Sequence, residues 1–333
     1  MKKIKNIILV FAVIGLGLGL ILVGEIFLPA KIGNNEIKLF SVIKGDNVFK
    51  IADNLKKEGI IKNQLNFITP VILQAKSHKL QTGLYYLGPG LSPWQIAGKI
   101  IKGDVAKEIV TIPEGWNLKE INELLQKKSL VQNEKLLELK TADFSNDFNF
   151  LKSVLANANL EGYLFPDTYE IKVGDSPETI ATIMLANFDK KLTDDLRQEI
   201  KKQNKTISQI VIMASLLEKE AKTAKDKGLV AGILWKRLKI GMRLQVDATV
   251  LYALGKESGP VSYDDLTIDS PYNTYKYAGL PIGPIANPGL ESIKAAVYPE
   301  QSDYWYYLSA PDGTTYFSKT LEEHNQKKAQ YLN

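Results

Sequence analysis

The chain has 333 residues, with 42 Lys and Arg, 37 Asp and Glu, two His and no Cys. The missing Cys excludes thiol nucleophiles, Cys-bound metals and disulfides. His78 and His324 are too far apart in sequence to suggest a His metal motif, so no metal or cofactor is expected and acid–base chemistry falls to Asp or Glu. The net charge of +5 is carried almost wholly by Lys, with Arg only at 197, 237 and 243, which lacks the Arg-rich stripe of a nucleic-acid reader, and no nucleic-acid partner is expected.

Residues 1–6 read MKKIKN, and Ile7 to Gly24 then run without a charge before Glu25 and Ile26-Phe27-Leu28-Pro29. At ~1.5 Å per residue, residues 7–28 span the ~30 Å hydrocarbon layer. A cleaved signal peptide is the competing reading, but no small-x-small cleavage site follows. The expectation is a retained single-pass anchor in the cell membrane. Lys2, Lys3 and Lys5 keep the N-terminus cytoplasmic and the body extracytoplasmic.

Beyond a short linker one pattern occurs twice. Val42-Ile43-Lys44-Gly45-Asp46-Asn47 precedes Ile51, Leu55 and Ile60-Ile61. Seventy residues on, Ile112-Pro113-Glu114-Gly115-Trp116-Asn117 precedes Ile121, Leu125 and Leu130-Val131. Each reads as strand, glycine turn and amphipathic helix. The first copy resembles a LysM-like module, a resemblance that implies binding of N-acetylglucosamine-containing glycans. Gly83-Leu84-Tyr85-Tyr86 and Gly88-Pro89-Gly90 add a strand and a turn.

Residues 132–159 read as polar and helical. Leu160-Glu161-Gly162-Tyr163-Leu164-Phe165-Pro166-Asp167-Thr168-Tyr169 then packs aromatics and carboxylates densely enough to suggest a ligand-holding surface, against the alternative of an edge strand with core aromatics. Residues 176–202 form a long amphipathic helical stretch.

Thr206-Ile207-Ser208 is a helix cap, and the helix is expected to run to about Ala224. Ile207, Ile210, Val211, Ala214, Leu217, Glu218 and Ala221 share one face. Residues 210–217 are apolar almost all round, which makes the helix central to its domain. Glu218 therefore continues an apolar stripe. A carboxyl desolvated there favours its protonated form, which a general acid needs; the alternative is a structural Glu bonded to a backbone amide or a Lys. Downstream, Gly241-Met242-Arg243-Leu244-Gln245-Val246-Asp247 precedes a short helix. Residues 270–289, with Tyr272, Asn273, Thr274, Pro281 and Pro288, must be irregular and are long enough to suggest function. Residues 304–317 read as a hairpin around Asp312-Gly313.

Taken together, Glu161-Gly-Tyr-Leu-Phe-Pro-Asp-Thr-Tyr169, Ala214-Ser-Leu-Leu-Glu-Lys-Glu-Ala221, Arg237-Leu238 with Gly241 to Gln245, and Tyr272-Asn-Thr-Tyr275 with Gly279-Leu-Pro281 resemble the endolytic murein transglycosylases. The motifs follow in order along nearly the whole chain. The resemblance implies a membrane-anchored lyase that cleaves the MurNAc–GlcNAc β-1,4 bond of nascent peptidoglycan, leaves 1,6-anhydro-MurNAc ends and terminates strand growth near the peptidoglycan synthases of elongation or division. It places the catalytic carboxyl at Glu218, which would donate a proton to the leaving oxygen and then accept one from the C6 hydroxyl.

The residues expected to bind substrate are Glu161, Tyr163, Phe165, Asp167, Gln245, Asp247, Tyr272, Asn273 and Thr274, with Glu220 structural. The expected fold class is α+β: a transmembrane helix at 7–28 behind a cytoplasmic tail at 1–6, a LysM-like module at 36–104, a second strand-turn-helix and connector at 105–159, and a mixed α+β catalytic domain at 160–333. Two other readings remain open. One is a non-catalytic peptidoglycan-binding protein; the other is a hydrolase pairing Glu218 with Asp247 or Glu161.

Overall fold

The computed structural model describes residues 9, 13–17, 23–74, 79–310 and 313–332. The predicted span at 7–28 lies largely outside them, as do His78 and Asp312. Among the described residues no helix is long and apolar enough to cross a membrane. The fold is mixed α+β, with helices and two-stranded sheets. It divides into two compact units, Met1–Glu108 with Glu170–Gly174, and Ile109–Tyr169 with Asp175–Asn333.

In the smaller unit, β1 (Lys38–Val42) leads through a turn to α1 (Val48–Lys57), α2 (Leu65–Leu73), β2 (Gly83–Leu87) and α3 (Pro93–Lys102). β1 and β2 pair antiparallel, with Lys38 opposite Leu87 and Val42 opposite Gly83. Alternation along β1 turns Phe40 and Val42 inward, where they meet Ile51 and Leu55 of α1, Tyr85 and Leu87 of β2, and Ile96 and Ile100 of α3. Ser92 and Gln95 close a reciprocal cap on α3, and Gly103 ends it in the left-handed conformation that a glycine takes without strain.

The chain passes between the units at β3 (Lys107–Thr111) and β4 (Thr168–Lys172), which pair with each other. The repeated sequence pattern has the same local conformation in both places. Gly45 and Gly115 turn at φ +95° and +79°. Asn47 and Asn117 then cap α1 and α4 (Leu118–Lys127), each side chain accepting from the amide three residues on. The buried positions also correspond, Ile51 and Leu55 in one copy and Ile121 and Leu125 in the other.

The larger unit is built around the helix Ile207–Glu220. Preceding it, the expected helical stretch at 176–202 is two helices, α5 (Pro177–Lys191) and α6 (Asp194–Lys202), because Thr193 starts a second cap by accepting from Leu196. Residues 132–159 hold only single helical turns and a short 3-10 segment. Helix α7 (Ile207–Glu220) begins at the reciprocal Thr206–Gln209 cap and buries every residue from 210 to 217. It stops four residues before the expected end. Ala221 is extended, and Thr223 caps α8 (Ala224–Lys239). Glu218 and Glu220 thus lie in the last turn of α7.

Next come α9 (Asp247–Ala253) and the irregular 270–289 segment, as expected from its Pro and Gly. The backbone amide of Ile285 donates to Ser215 Oγ at 3.1 Å, tying that segment to the middle of α7. α10 (Leu290–Val297) packs against α7 and α8. The expected hairpin forms from β5 (Tyr306–Ser309) and β6 (Thr315–Ser318), and α11 (Leu321–Tyr331) covers it, with Tyr316 and Tyr331 stacked at 3.9 Å.

Gly228 and Gly232 let the chain at Glu300 cross α8 closely. A methyl group at Gly232 would lie 1.9 Å from the Glu300 carbonyl oxygen. Helix propensity alone favours Ala over Gly by about 1 kcal/mol. We nevertheless expect Gly232→Ala to destabilise the protein by about 1–3 kcal/mol in urea unfolding. A gain in stability would show that the crossing does not need the glycine.

Candidate active site

A carboxylate at the C-terminal end of a helix faces the unfavourable end of the dipole, and one next to the apolar face of α7 is desolvated as well. Glu218 meets both conditions, with a side chain only 8% exposed. Three donors offset them. Lys227 Nζ, from the start of α8 and 4% exposed, forms an ion pair with Oε1 at 2.9 Å. The Gly289 amide donates to Oε2 at 2.9 Å, and Ser292 Oγ donates to the same oxygen at 2.6 Å. Gly289 is the N-cap of α10, so the carboxylate ending one helix occupies the positive end of the next. Expectation and structure differ here. The apolar stripe suggested a protonated Glu218, and the structure surrounds it with partners suited to an ionised one.

The loop carrying Gly289 is held by Asn287. Its side-chain oxygen accepts from the Leu164 amide at 2.9 Å, and its Nδ2 donates to Trp116 O at 2.9 Å and to Glu161 Oε1 at 3.1 Å. Two backbone bonds, Gly115 N to Asn287 O at 2.9 Å and Asn287 N to Trp116 O at 2.8 Å, fasten the second glycine turn to this loop. Glu114, on that turn, is thereby brought beside Glu218. Partial desolvation first, and the Glu218 charge second, push the Glu114 carboxyl above the usual carboxylate range; Lys227 pulls it back and Glu291 adds to the rise.

Residues 40–330 match the YceG-like family. The chain belongs to that family. It is 36% identical over 304 residues to the endolytic murein transglycosylase of Bacillus subtilis (strain 168), covering 88% of this chain and 84% of that protein. Identity is 32% over 335 residues to the endolytic murein transglycosylase of Streptococcus pneumoniae serotype 2, covering 92% of this chain and 60% of that longer protein. The crystal structure of a yceG-like protein from Listeria monocytogenes superposes with a TM-score of 0.62 at 36% identity, covering 89% of this chain and all of that one.

The residues of this YceG-like chain that were expected to bind substrate fall into separate groups. Glu161 is 3% exposed and works as a clamp. It accepts from the Leu118 amide with both oxygens, from Asn287, and from Tyr252 Oη at 3.1 Å. Burial raises its carboxyl to about 7 against the pull of the Leu118 amide and the Tyr252 hydroxyl. Tyr163 is buried against Phe150 and Phe188, and Phe165 is buried beneath Lys191, so both rings belong to the core. Asp167 accepts from Asn187, which chiefly holds its carboxyl below the usual range, and pairs with Lys191.

Asn273 is fully buried and folds its own loop: Nδ2 donates to Leu266 O and Ile268 O, and Oδ1 accepts from the Tyr275 amide. Thr274 is buried too and pins the Val246 amide at 2.9 Å. Tyr272 packs against Tyr252 with ring centres 4.8 Å apart and planes inclined at 54°. Gln245 and Asp247 line a cavity of about 530 Å³ with Glu220, Arg237, Tyr275 and Tyr307. There Tyr275 Oη donates to Asp247. Desolvation raises Glu220 to about 7, opposed by bonds from Tyr307 and the Ala248 amide.

Asp247 lines the cavity with Glu220, Glu161 clamps the Leu118 amide, and Glu114 is a carboxyl beside Glu218. Sequence reasoning also missed Lys227, Asn287, Gly289 and Ser292. Glu114 had a signal, since it stands in the second glycine turn where the first copy has Lys44.

Removing one member of a buried ion pair strands the other. Lys227→Met is expected to lower unfolding free energy by about 3–5 kcal/mol, and an unchanged urea midpoint would contradict the pair. For Glu220 the sign follows from its raised carboxyl. The folded state holds a proton between about 4.5 and about 7 that the unfolded state has lost, so its contribution is present below that window and is lost as pH rises through it. Relative to wild type, Glu220→Gln should gain stability as pH goes from about 5 to about 7. A constant difference across that range would refute the assignment.

Proposed function

We propose that the chain is a lytic transglycosylase of peptidoglycan, acting on the MurNAc–GlcNAc bond of nascent strands with Glu218 as its catalytic carboxylate and leaving 1,6-anhydro-MurNAc ends. The observation that carries the reading is the end-to-end relation to curated proteins named endolytic murein transglycosylase, joined to a nearly buried carboxylate braced by three donors. As a carboxylate, Glu218 suits the accepting half of the reaction. It takes the proton of the MurNAc C6 hydroxyl as that oxygen attacks the anomeric carbon. The nucleophile belongs to the substrate, so attack is intramolecular and gains from proximity, and no water is activated.

Residues 7–28 are the proposed anchor, with the N-terminus cytoplasmic and both units outside the cell membrane; the uncharged run behind Lys2, Lys3 and Lys5 supports this. The smaller unit is the proposed LysM-like glycan holder, supported by its glycine turn and capped helix. Peptidoglycan synthases are the proposed neighbours, because strand termination acts where strands are made. Gln245, Asp247 and Tyr275 line the polar cavity at the end of α7 and are the proposed contacts to sugar hydroxyls.

The test is digestion of purified glycan strands by the full-length protein, with the new ends read by mass spectrometry. Anhydro ends are expected, falling by about 10²–10⁴-fold in Glu218→Gln. Strands bound without cleavage would favour a purely glycan-binding protein. Undiminished cleavage by Glu218→Gln would remove that residue from the chemistry.

A further inference from the structure

Glu218, ion-paired with Lys227, leaves a task unassigned, because the glycosidic oxygen that departs from MurNAc must receive a proton. We propose that Glu114 is a second catalytic carboxyl, the acid that protonates this leaving oxygen while Glu218 receives the proton of the C6 hydroxyl. The inference rests on the transglycosylase reading and deepens it.

The first support is position. The turn bearing Glu114 is fixed by the Gly115 and Trp116 bonds to Asn287. A methyl group on Gly289 would lie 1.9 Å from Glu114 Oε1 and 2.0 Å from its carboxyl carbon, so the Glu114 carboxyl rests against the Gly289 Cα. The amide of the same glycine donates to Glu218. On the other side, a methyl group on Gly115 would lie 3.4 Å from Glu218 Cγ. Both carboxyls therefore border one glycine, and any side chain at position 289 would push Glu114 away.

The second support is a division of labour between the two groups. Glu218 is nearly buried and has three donors. Glu114 is exposed, and among the described residues none donates a hydrogen bond to its carboxyl, so it is open to a ligand. The charged groups facing it are Glu218, Lys227 and Glu291. Glu114 has no such donors among the described residues, and partial desolvation together with the neighbouring Glu218 charge pushes its carboxyl above the usual carboxylate range.

The third support comes from the repeat. The first copy makes the same turn and the same Asn cap with Lys44 at the matching position. The turn itself does not need a carboxyl there.

The step balances. Glu114 gives its proton to the glycosidic oxygen, which leaves on GlcNAc with the bonding electrons. The MurNAc C6 oxygen bonds to C1, and its proton goes to Glu218. Transfer of that proton from Glu218 back to Glu114 restores both groups, with no water and no other reactant consumed.

The experiment measures anhydro-end formation against pH for wild type, Glu114→Gln, Glu114→Asp and Gly289→Ala, with unfolding midpoints taken in parallel. Glu114→Gln should unfold like wild type, lose at least about 100-fold in rate and lose the fall in rate on the alkaline side that deprotonation of Glu114 produces. Glu114→Asp should restore part of both. Should Glu114→Gln not fold, Gly289→Ala, which displaces the carboxyl, is expected to have the same rate loss and the same flattened profile. A folded Glu114→Gln that forms anhydro ends near the wild-type rate, or that keeps the alkaline fall, overturns the role of Glu114 alone. Wild-type protein that forms no anhydro ends overturns the transglycosylase reading, and this role with it.

Discussion

The larger unit is organised by the need to keep a carboxylate, Glu218, at the end of an apolar helix. Withdrawing the two charges of an ion pair from water costs several kcal/mol for each, and attraction alone recovers this only when geometry and additional hydrogen bonds are good. The donors come from the starts of two helices: Lys227 from the first turn of α8, and the Gly289 amide and Ser292 hydroxyl from the cap and first turn of α10. The early stop of α7 is part of the same solution. Ending at Glu220 lets Thr223 cap α8 at once, which sets Lys227 nine residues from its partner and facing back toward it. The fold thus directs a cation, a hydroxyl and a helix N-terminus at one group.

Asn287 does the corresponding work for the loop. With Glu161 it joins the second glycine turn, residues 161–164 and the segment leading to α10 through bonds of 2.8–3.1 Å. The densely aromatic stretch around Glu161, which looked like a sugar-binding surface, is instead the support beneath the site. Its Tyr163 and Phe165 fill the core, and its carboxylate orders a turn that presents another carboxyl, Glu114.

Much of the fold was legible because it depends on local chemistry. The Thr206 cap, the apolar run at 210–217, the paired Gly-x-Asn turns and the Pro-rich irregular segment at 270–289 are each determined within a few residues, and each took the expected form. Glu218 stood out for the same reason, as a carboxyl on an apolar stripe. Its partners were not legible. Gly289 and Ser292 lie 71 and 74 residues away, and nothing local marks an amide or a hydroxyl as pointing at a distant carboxylate. The periodicity gave the side of α7 on which Glu218 lies but not whether a cation would meet it there, and so the protonated form was expected where an ion pair is found. Glu161, Asn273 and Thr274 were misread in the opposite direction. Polar residues in a loop suggest contact with ligand, but Asn273 satisfies backbone groups of its own loop, and Glu161 and Thr274 hold the Leu118 and Val246 amides of other segments.

The central claim is that the bond is broken by the substrate's own hydroxyl, with two carboxyls moving protons and no water entering. Digestion of glycan strands in water enriched in heavy oxygen tests this most directly. The account predicts new MurNAc ends that are 1,6-anhydro and carry no label. Reducing MurNAc ends that carry the label would contradict it and make the protein a hydrolase.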